Sequence, residues 1–150
     1  MNRLGRILAL FLLAGALVAA RPAQAQTAAD SAAIVATALD YIDGYYTGDA
    51  ARMERALHPD LAKRIVGDPA GPQSRMQNMT ADQLIQATAR GSARQIPEEA
   101  RRDDVRILDI YNDIASVRID AGLWIDYLHE ARWNGEWKIV NVLWEMAPRN

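Results

Sequence analysis

From residue 31 the apolar positions Ile34, Ala38, Leu39, Ile42 and Tyr45 recur every three to four residues, the spacing that lays one apolar stripe along a helix. Asp30 or Ser31 stands where an N-cap is needed and Gly48 where the chain must leave the helix. The pattern predicts a long amphipathic helix over 31–46. Asp49 then caps a second, short helix through Met53, Ala56 and Leu57. His58-Pro59-Asp60 ends it, because a residue before proline is pushed out of the helical region. Leu61 to Val66 reads as one more helical turn, and Gly67 to Asn78, with Gly67, Pro69, Gly71 and Pro72, as a loop. Thr80-Ala81-Asp82-Gln83 is a capping box, the Thr hydroxyl and the Gln amide each satisfying a free amide of the first turn. Leu84, Ile85 and Ala87-Thr88 carry this third helix to Gly91, and the polar stretch from Ser92 to Arg102, with Pro97, reads as loop.

Beyond Arg102 the period changes to two. Val105 to Tyr111, Ala115 to Asp120, Leu123 to Trp133 and the run ending at Met146 read as strands, with a turn at Asn112-Asp113. Asn134-Gly135 between two aromatic-rich runs predicts a hairpin, since a type I′ turn needs positive φ at both central residues. On strict alternation the last strand carries Trp137, Ile139, Asn141 and Leu143 on one face and Val140, Val142, Trp144 and Met146 on the other. Both faces are then largely apolar. One should cover the core and the other should meet a helix or a second subunit. Three helices followed by four antiparallel strands predict an α+β fold with the helices on one side of a curved sheet.

The 150 residues make one domain's worth of chain. The basic start Met1 to Arg6, the apolar run Ile7 to Ala20 and the small-x-small triplet Ala23-Gln24-Ala25 predict a secretory signal peptide over 1–25, cut after Ala25. The expected product is a periplasmic or secreted domain over 26–150 without a stable membrane anchor, because the apolar run falls short of the roughly 20 residues a spanning helix needs. Cys is absent, which excludes a Cys-linked lipid anchor, disulfides and thiolate metal sites. Of 17 basic and 19 acidic residues the leader removes Arg3, Arg6 and Arg21, leaving 14 against 19, a net −5. That sign argues against nucleic acid as the principal partner. With two His, no HxH or HExxH spacing, no Gly-rich phosphate loop and no nucleophile motif, the expectation is no metal and no cofactor.

The sequence of helix, short helix, HPDLAKR (His58 to Arg64), loop, MTADQLI (Met79 to Ile85), ILDIYNDIASVRI (Ile107 to Ile119) and WIDYLHEARWNGEWKIVNVLWEM (Trp124 to Met146) resembles the nuclear transport factor 2-like, or SnoaL-like, superfamily. Within it the match is to the branch labelled "putative lumazine-binding". The resemblance implies a cone-shaped, cystatin-like α+β domain: a bent antiparallel sheet wrapped around the N-terminal helices, a pocket at the wide end, and often a homodimer through the outer sheet face. The superfamily holds isomerases, dehydratases and cyclases as well as members without chemistry, so the fold alone does not name a function.

The third strand holds the richest set of candidates. Tyr127 and His129 lie on one face; if that face looks into the cone, His129 is the natural acid/base or ligand-orienting group, since its pKa lies near working pH, and otherwise it is a structural His at the sheet margin. Asp126, on the opposite face, is either a base with a raised pKa or the partner of Arg118 or Arg106 on the outer sheet. Asp109 and Tyr111 share a face with Val105 and Ile107, as pocket groups or as partners of Tyr127. His58 leaves the second helix where the dipole favours its protonated form, near the expected pocket mouth. Tyr41, Tyr45 and Tyr46 offer an aromatic lining, with Tyr45 the candidate wall, Met79 suits an adaptable apolar site, and Trp137 completes the candidate ligand-binding set. The reading these residues carry is an exported domain that holds a small apolar or aromatic molecule without catalysis. Two alternatives stay open: a cofactor-free isomerase, dehydratase or cyclase using His129 with Asp126 or Asp109, and an interaction module that dimerises through Val140, Val142, Trp144 and Met146.

Overall fold

A computed structural model describes residues 28–67 and 75–148; the expected leader over 1–25 lies outside them. Helix α1 (Ala28–Thr47) is followed by α2 (Ala50–Ala56), strands β1 (Leu57–Gly67) and β2 (Arg75–Met79), α3 (Ala81–Ala89), a short 3-10 turn (Glu98–Ala100) and strands β3 (Asp104–Tyr111), β4 (Ile114–Asp120), β5 (Trp124–Trp133) and β6 (Glu136–Met146). The six strands form one curved sheet in the order β2-β1-β6-β5-β4-β3. The α+β cone is as expected, but the sheet is mixed: β1 runs parallel to β6 while every other pair is antiparallel. The cavity-bearing face is thereby extended by two strands.

Those two strands correct the reading of 61–79. Leu61 to Val66 is strand, not helical turn, because Leu61 and Lys63 point into the core with 4% and 8% exposure, a period of two, and its backbone pairs with β6. Residues 75–78, expected as loop, and Met79 after them pair with β1, from Met79 opposite Lys63 to Arg75 opposite Gly67.

Helix α1 crosses the concave side of the sheet and buries Ile34, Ala38, Tyr41, Ile42 and Tyr46, each large aliphatic side chain contributing about 1.5–3 kcal/mol by leaving water. Gly44 permits the close approach of α2: a Cβ there would lie 3.1 Å from the Met53 nitrogen. The capping box at α3 is formed in both directions, and Asn134 and Gly135 take φ of 52° and 85° in the β5–β6 turn, as a type I′ hairpin requires.

Two bulges change which side chains share a face. In β6 His129 pairs with Asn141 but Glu130 with Ile139, so Val140 is the extra residue and the alternation reverses after it. Trp137, Ile139, Val142 and Trp144 therefore all lie on the core side, while Asn141, Leu143 and Glu145 face outward. The outer face is not the apolar set Val140, Val142, Trp144 and Met146, and a dimer through those four residues is excluded by geometry. In β3 Ile107 pairs with Val117 but Asp109 with Ser116. Leu108 is the bulge there. Val105, Ile107 and buried Ile110 face in, and Asp109 and Tyr111 face out with the other outer residues, contrary to the expectation that they share a face with Val105 and Ile107.

Candidate functional site

A cavity of about 280 Å³ opens between α1, α3, the segment after α3 and the concave ends of β1, β5 and β6. Its walls are aromatic and aliphatic: Tyr41 and Tyr45 from α1, Leu84 and Ala87 from α3, Trp124 from β5, Trp144 and Met146 from β6. Ile96, Leu123 and Met79 close the rest, Ser92 and Gln95 supply polar edges, and Lys63 is the one charged group in the lining.

Lys63 anchors a hydrogen-bonded cluster at the base. Its ammonium donates to Asp126 Oδ1 at 2.9 Å and to the Tyr41 hydroxyl at 2.5 Å. The Tyr41 hydroxyl in turn donates to Asp126 Oδ2 at 3.2 Å, and Trp124 Nε1 donates to the same oxygen at 2.7 Å. Asp126 is fully buried and Lys63 nearly so. The alternation of β1 and β5 explains the meeting: Lys63 and Asp126 are inward positions of strands that flank β6 on either side, and α1 lays Tyr41 across them. Two aromatic faces pack on the ammonium, Tyr41 at 5.2 Å and Trp144 at 4.9 Å from ring centroid to Nζ. An ammonium carries three donors. Two are taken by Tyr41 and Asp126, and the third has no hydrogen-bond partner among the described residues.

Burial lowers the Lys63 pKa from its ordinary value, with Asp126 acting in the opposite sense. Burial, then the adjacent Asp126 carboxylate, holds the Tyr41 phenol well above its usual range, and the same two causes raise Tyr45. The cluster thus keeps its phenols protonated, as donors, at any physiological pH.

The candidates read from sequence divide between the two sheet faces. Tyr45 and Met79 line the cavity. Asp126 faces inward behind it and pairs with Lys63 rather than with Arg118 or Arg106. Tyr127 and His129 lie on the outer face, 49% exposed in the case of Tyr127, so the face expected to look into the cone is the other one. Asp109, Tyr111 and His129 border a shallow outer groove with Ser116. Asp126 and His129, on opposite faces of β5, cannot act as an acid/base pair across one cavity. His129 Nδ1 lies 3.3 Å from Asn141 Nδ2, and Arg64 donates to Asn141 Oδ1 at 2.9 Å. An arginine only donates, so the Asn141 amide turns its NH₂ to His129, whose Nδ1 accepts. His58 is likewise occupied: Nδ1 accepts from the Asp60 backbone N–H at 3.0 Å, and the ring packs edge-on against Trp133. Trp137 is buried in the core, with the Arg132 guanidinium over its ring at 4.9 Å.

Lys63, Trp124, Leu84 and Trp144 were not among the sequence candidates. A signal for Lys63 existed: it is one of two lysines among the 17 basic residues, and reading 61–65 as strand places it inward between Leu61 and Ile65. Among the described residues no group of His, Asp or Glu is arranged to hold a metal ion.

Solved structures with the same architecture include an NTF2-like protein of unknown function from Shewanella baltica (18% identity over 81% of this chain and 96% of that one, TM-score 0.62). Another, from Silicibacter pomeroyi, has 20% identity over 78% and 95%, TM-score 0.60. A cystatin-like fold protein from Burkholderia xenovorans has 12% identity over 83% and 97%, TM-score 0.57. These show the fold, a nuclear transport factor 2-like or cystatin-like cone. None of the curated proteins matches the sequence. The family profile described as "Putative lumazine-binding" matches residues 29–145, nearly the whole described domain, and the chain belongs to that family.

Proposed function

We propose that this domain is a receptor for a small, flat, largely aromatic molecule carrying a carbonyl or comparable acceptor, which it holds against Lys63 without a cofactor and without the acid/base chemistry of the alternative reading that uses His129. The observation that carries the reading is the aromatic cavity with a single charged lining group whose spare N–H has no partner among the described residues. Apolar walls with one well-placed polar group are the ordinary make-up of a ligand pocket. At about 280 Å³ the cavity falls just below the usual range of roughly 300–1,000 Å³, which favours a bicyclic heterocycle over a steroid. Lumazine, named by the family description, has ring carbonyls of the right kind. The expected leader over 1–25 supports an exported protein, and a mature N-terminus at Gln26, read by mass spectrometry of the purified protein, would test the export.

A thermal-shift panel of lumazine, flavin precursors, steroids and fatty acids tests the receptor reading. Lumazine and related heterocycles should raise the unfolding midpoint, since binding to the native state alone stabilises it by mass action, and steroids should not. If no heterocycle moves the midpoint at millimolar concentration, the reading fails.

The homodimer expected through the outer sheet face is retained as part of this proposal, with its residues revised. Tyr127 and Leu143 are register partners on that face, each nearly half exposed, with Ile125 beside them.

A further inference from the structure

We propose that Lys63 captures carbonyl ligands covalently and reversibly, as a protonated imine, so that the cavity is a site for aryl aldehydes and ketones and not only for non-covalent ligands. The inference rests on the same cavity being a ligand site, and it goes beyond that reading by assigning a bond-forming role to the nitrogen.

Three observations converge on it. The first is compositional: Lys63 and Lys138 are the only lysines in a chain with 17 basic residues. Everywhere else the chain meets its need for positive charge with arginine, which in proteins stays protonated and cannot act as a nucleophile. Lys138 has a surface role, bonded to Glu136 at 2.9 Å and to the Arg55 carbonyl at 2.6 Å. Lys63 is the one lysine in the cavity lining, and its amine, unlike a guanidinium, can lose a proton and attack.

The second observation is placement. Nζ lies in the cavity wall among the rings of Tyr41 and Trp144, with Asp126 and the Tyr41 hydroxyl both in hydrogen-bond contact. A desolvated lysine in an apolar pocket is the usual device for carbonyl chemistry, because burial disfavours the charged form, and burial lowers Lys63 here.

The third is that the surrounding groups supply every proton the step needs. Transfer of one ammonium proton to Asp126 leaves a neutral amine and a neutral acid with no net change of charge. The amine lone pair forms the C–N bond while the carbonyl π pair moves to oxygen, which takes a proton through the Tyr41 hydroxyl. The nitrogen gives up one proton as the oxygen gains one, and the carbinolamine hydroxyl then takes back the proton held by Asp126 and leaves as water, the nitrogen lone pair forming the C=N bond and Asp126 returning to its carboxylate. In sum, R–NH₃⁺ and O=CR₂ give R–NH⁺=CR₂ and H₂O, with no oxidant or reductant. The iminium inherits the place of the ammonium beside the Asp126 carboxylate, so the buried cation is never left unpaired.

The test is reductive trapping. The purified protein is incubated near neutral pH with 2-naphthaldehyde and sodium cyanoborohydride, and adducts are located by peptide mapping, with the unreactive alcohol 2-naphthalenemethanol titrated separately by tryptophan fluorescence. Because there are only two lysines, the site is read on the unaltered protein. A single adduct on Lys63, formed at least tenfold faster than on Lys138 or the N-terminal amine and lost in Lys63→Arg, is the expected result. Labelling of Lys138 or the N-terminus at an equal or greater rate, or no adduct on Lys63, overturns the inference. If the alcohol still quenches the indoles in that case, the receptor reading stands and only the imine fails; if the alcohol does not bind either, both fail.

Discussion

Glu130 has 1% of its surface exposed, and neither carboxyl oxygen has a hydrogen-bond partner among the described residues. Burial pushes its pKa up from 4.5 to about 8. The unfolded chain ionises this group near its ordinary value, so between about pH 4.5 and 8 the folded state holds a proton the unfolded state has released. Stability therefore falls as pH rises across that window, by on the order of 5 kcal/mol once pH exceeds 8. Glu130→Gln removes the titration. Its urea midpoint should stay close to that of the wild type at pH 5 and exceed it increasingly from pH 6 to 9; parallel profiles would show that Glu130 is not the buried acid described. Asp126 is the opposite case, a carboxylate with Lys63, Tyr41 and Trp124 as donors. Asp126→Ala strands the Lys63 cation and should cost about 3–5 kcal/mol, whereas replacing both partners at once, Lys63→Met with Asp126→Leu, should cost less than the single change. Equal losses in chemical denaturation would mean that the pair is not coupled.

At the scale of elements, the bulge at Val140 decides what β6 shows to each side. It predicts opposite fates for neighbouring residues: Val142→Asp buries a charge at a position with no exposure and should cost at least about 4 kcal/mol, while Leu143→Asp, on the outer face, should leave a folded domain by circular dichroism. Tolerance of aspartate at 142 but not at 143 would put the bulge elsewhere. These same elements show how far local chemistry reads through. The α1 stripe, the Thr80 capping box and the Asn134-Gly135 turn are legible because each is fixed by residues a few positions apart. The bulges at Leu108 and Val140 are not, because an extra residue in one strand is defined by its partner strand, and strict alternation assigns Asp109, Tyr111, Val142 and Trp144 to the wrong faces beyond it. Strand β1 was hidden for a related reason. Its parallel partner β6 lies about eighty residues away in sequence, and HPDLAKR taken locally looks like the tail of a helix. That one misassignment concealed Lys63, and with it the centre of the site. Tyr45 and Met79 do line the cavity, whereas the ion pair that joins Asp126 to Lys63 across two distant strands is not legible locally.

For the whole molecule, the helices and the concave sheet face together leave an aromatic chamber, and the convex face carries Ile125, Tyr127 and Leu143. If the convex face joins two copies, Leu143→Asp should give a folded monomer by light scattering where the wild type gives a dimer; an unaltered dimer would move the interface off that face. The central claim concerns the chamber. Ala87 on α3 is a small residue in its wall, 9% exposed, so Ala87→Phe fills the space without touching the Lys63 cluster. The most direct measurement is calorimetric titration of lumazine into the wild type and into Ala87→Phe. The wild type should bind saturably with one ligand per chain, and the filled variant, still folded, should lose at least about tenfold in affinity, or about 1.4 kcal/mol. No saturable heat with the wild type, or equal affinity in the two proteins, would contradict the account.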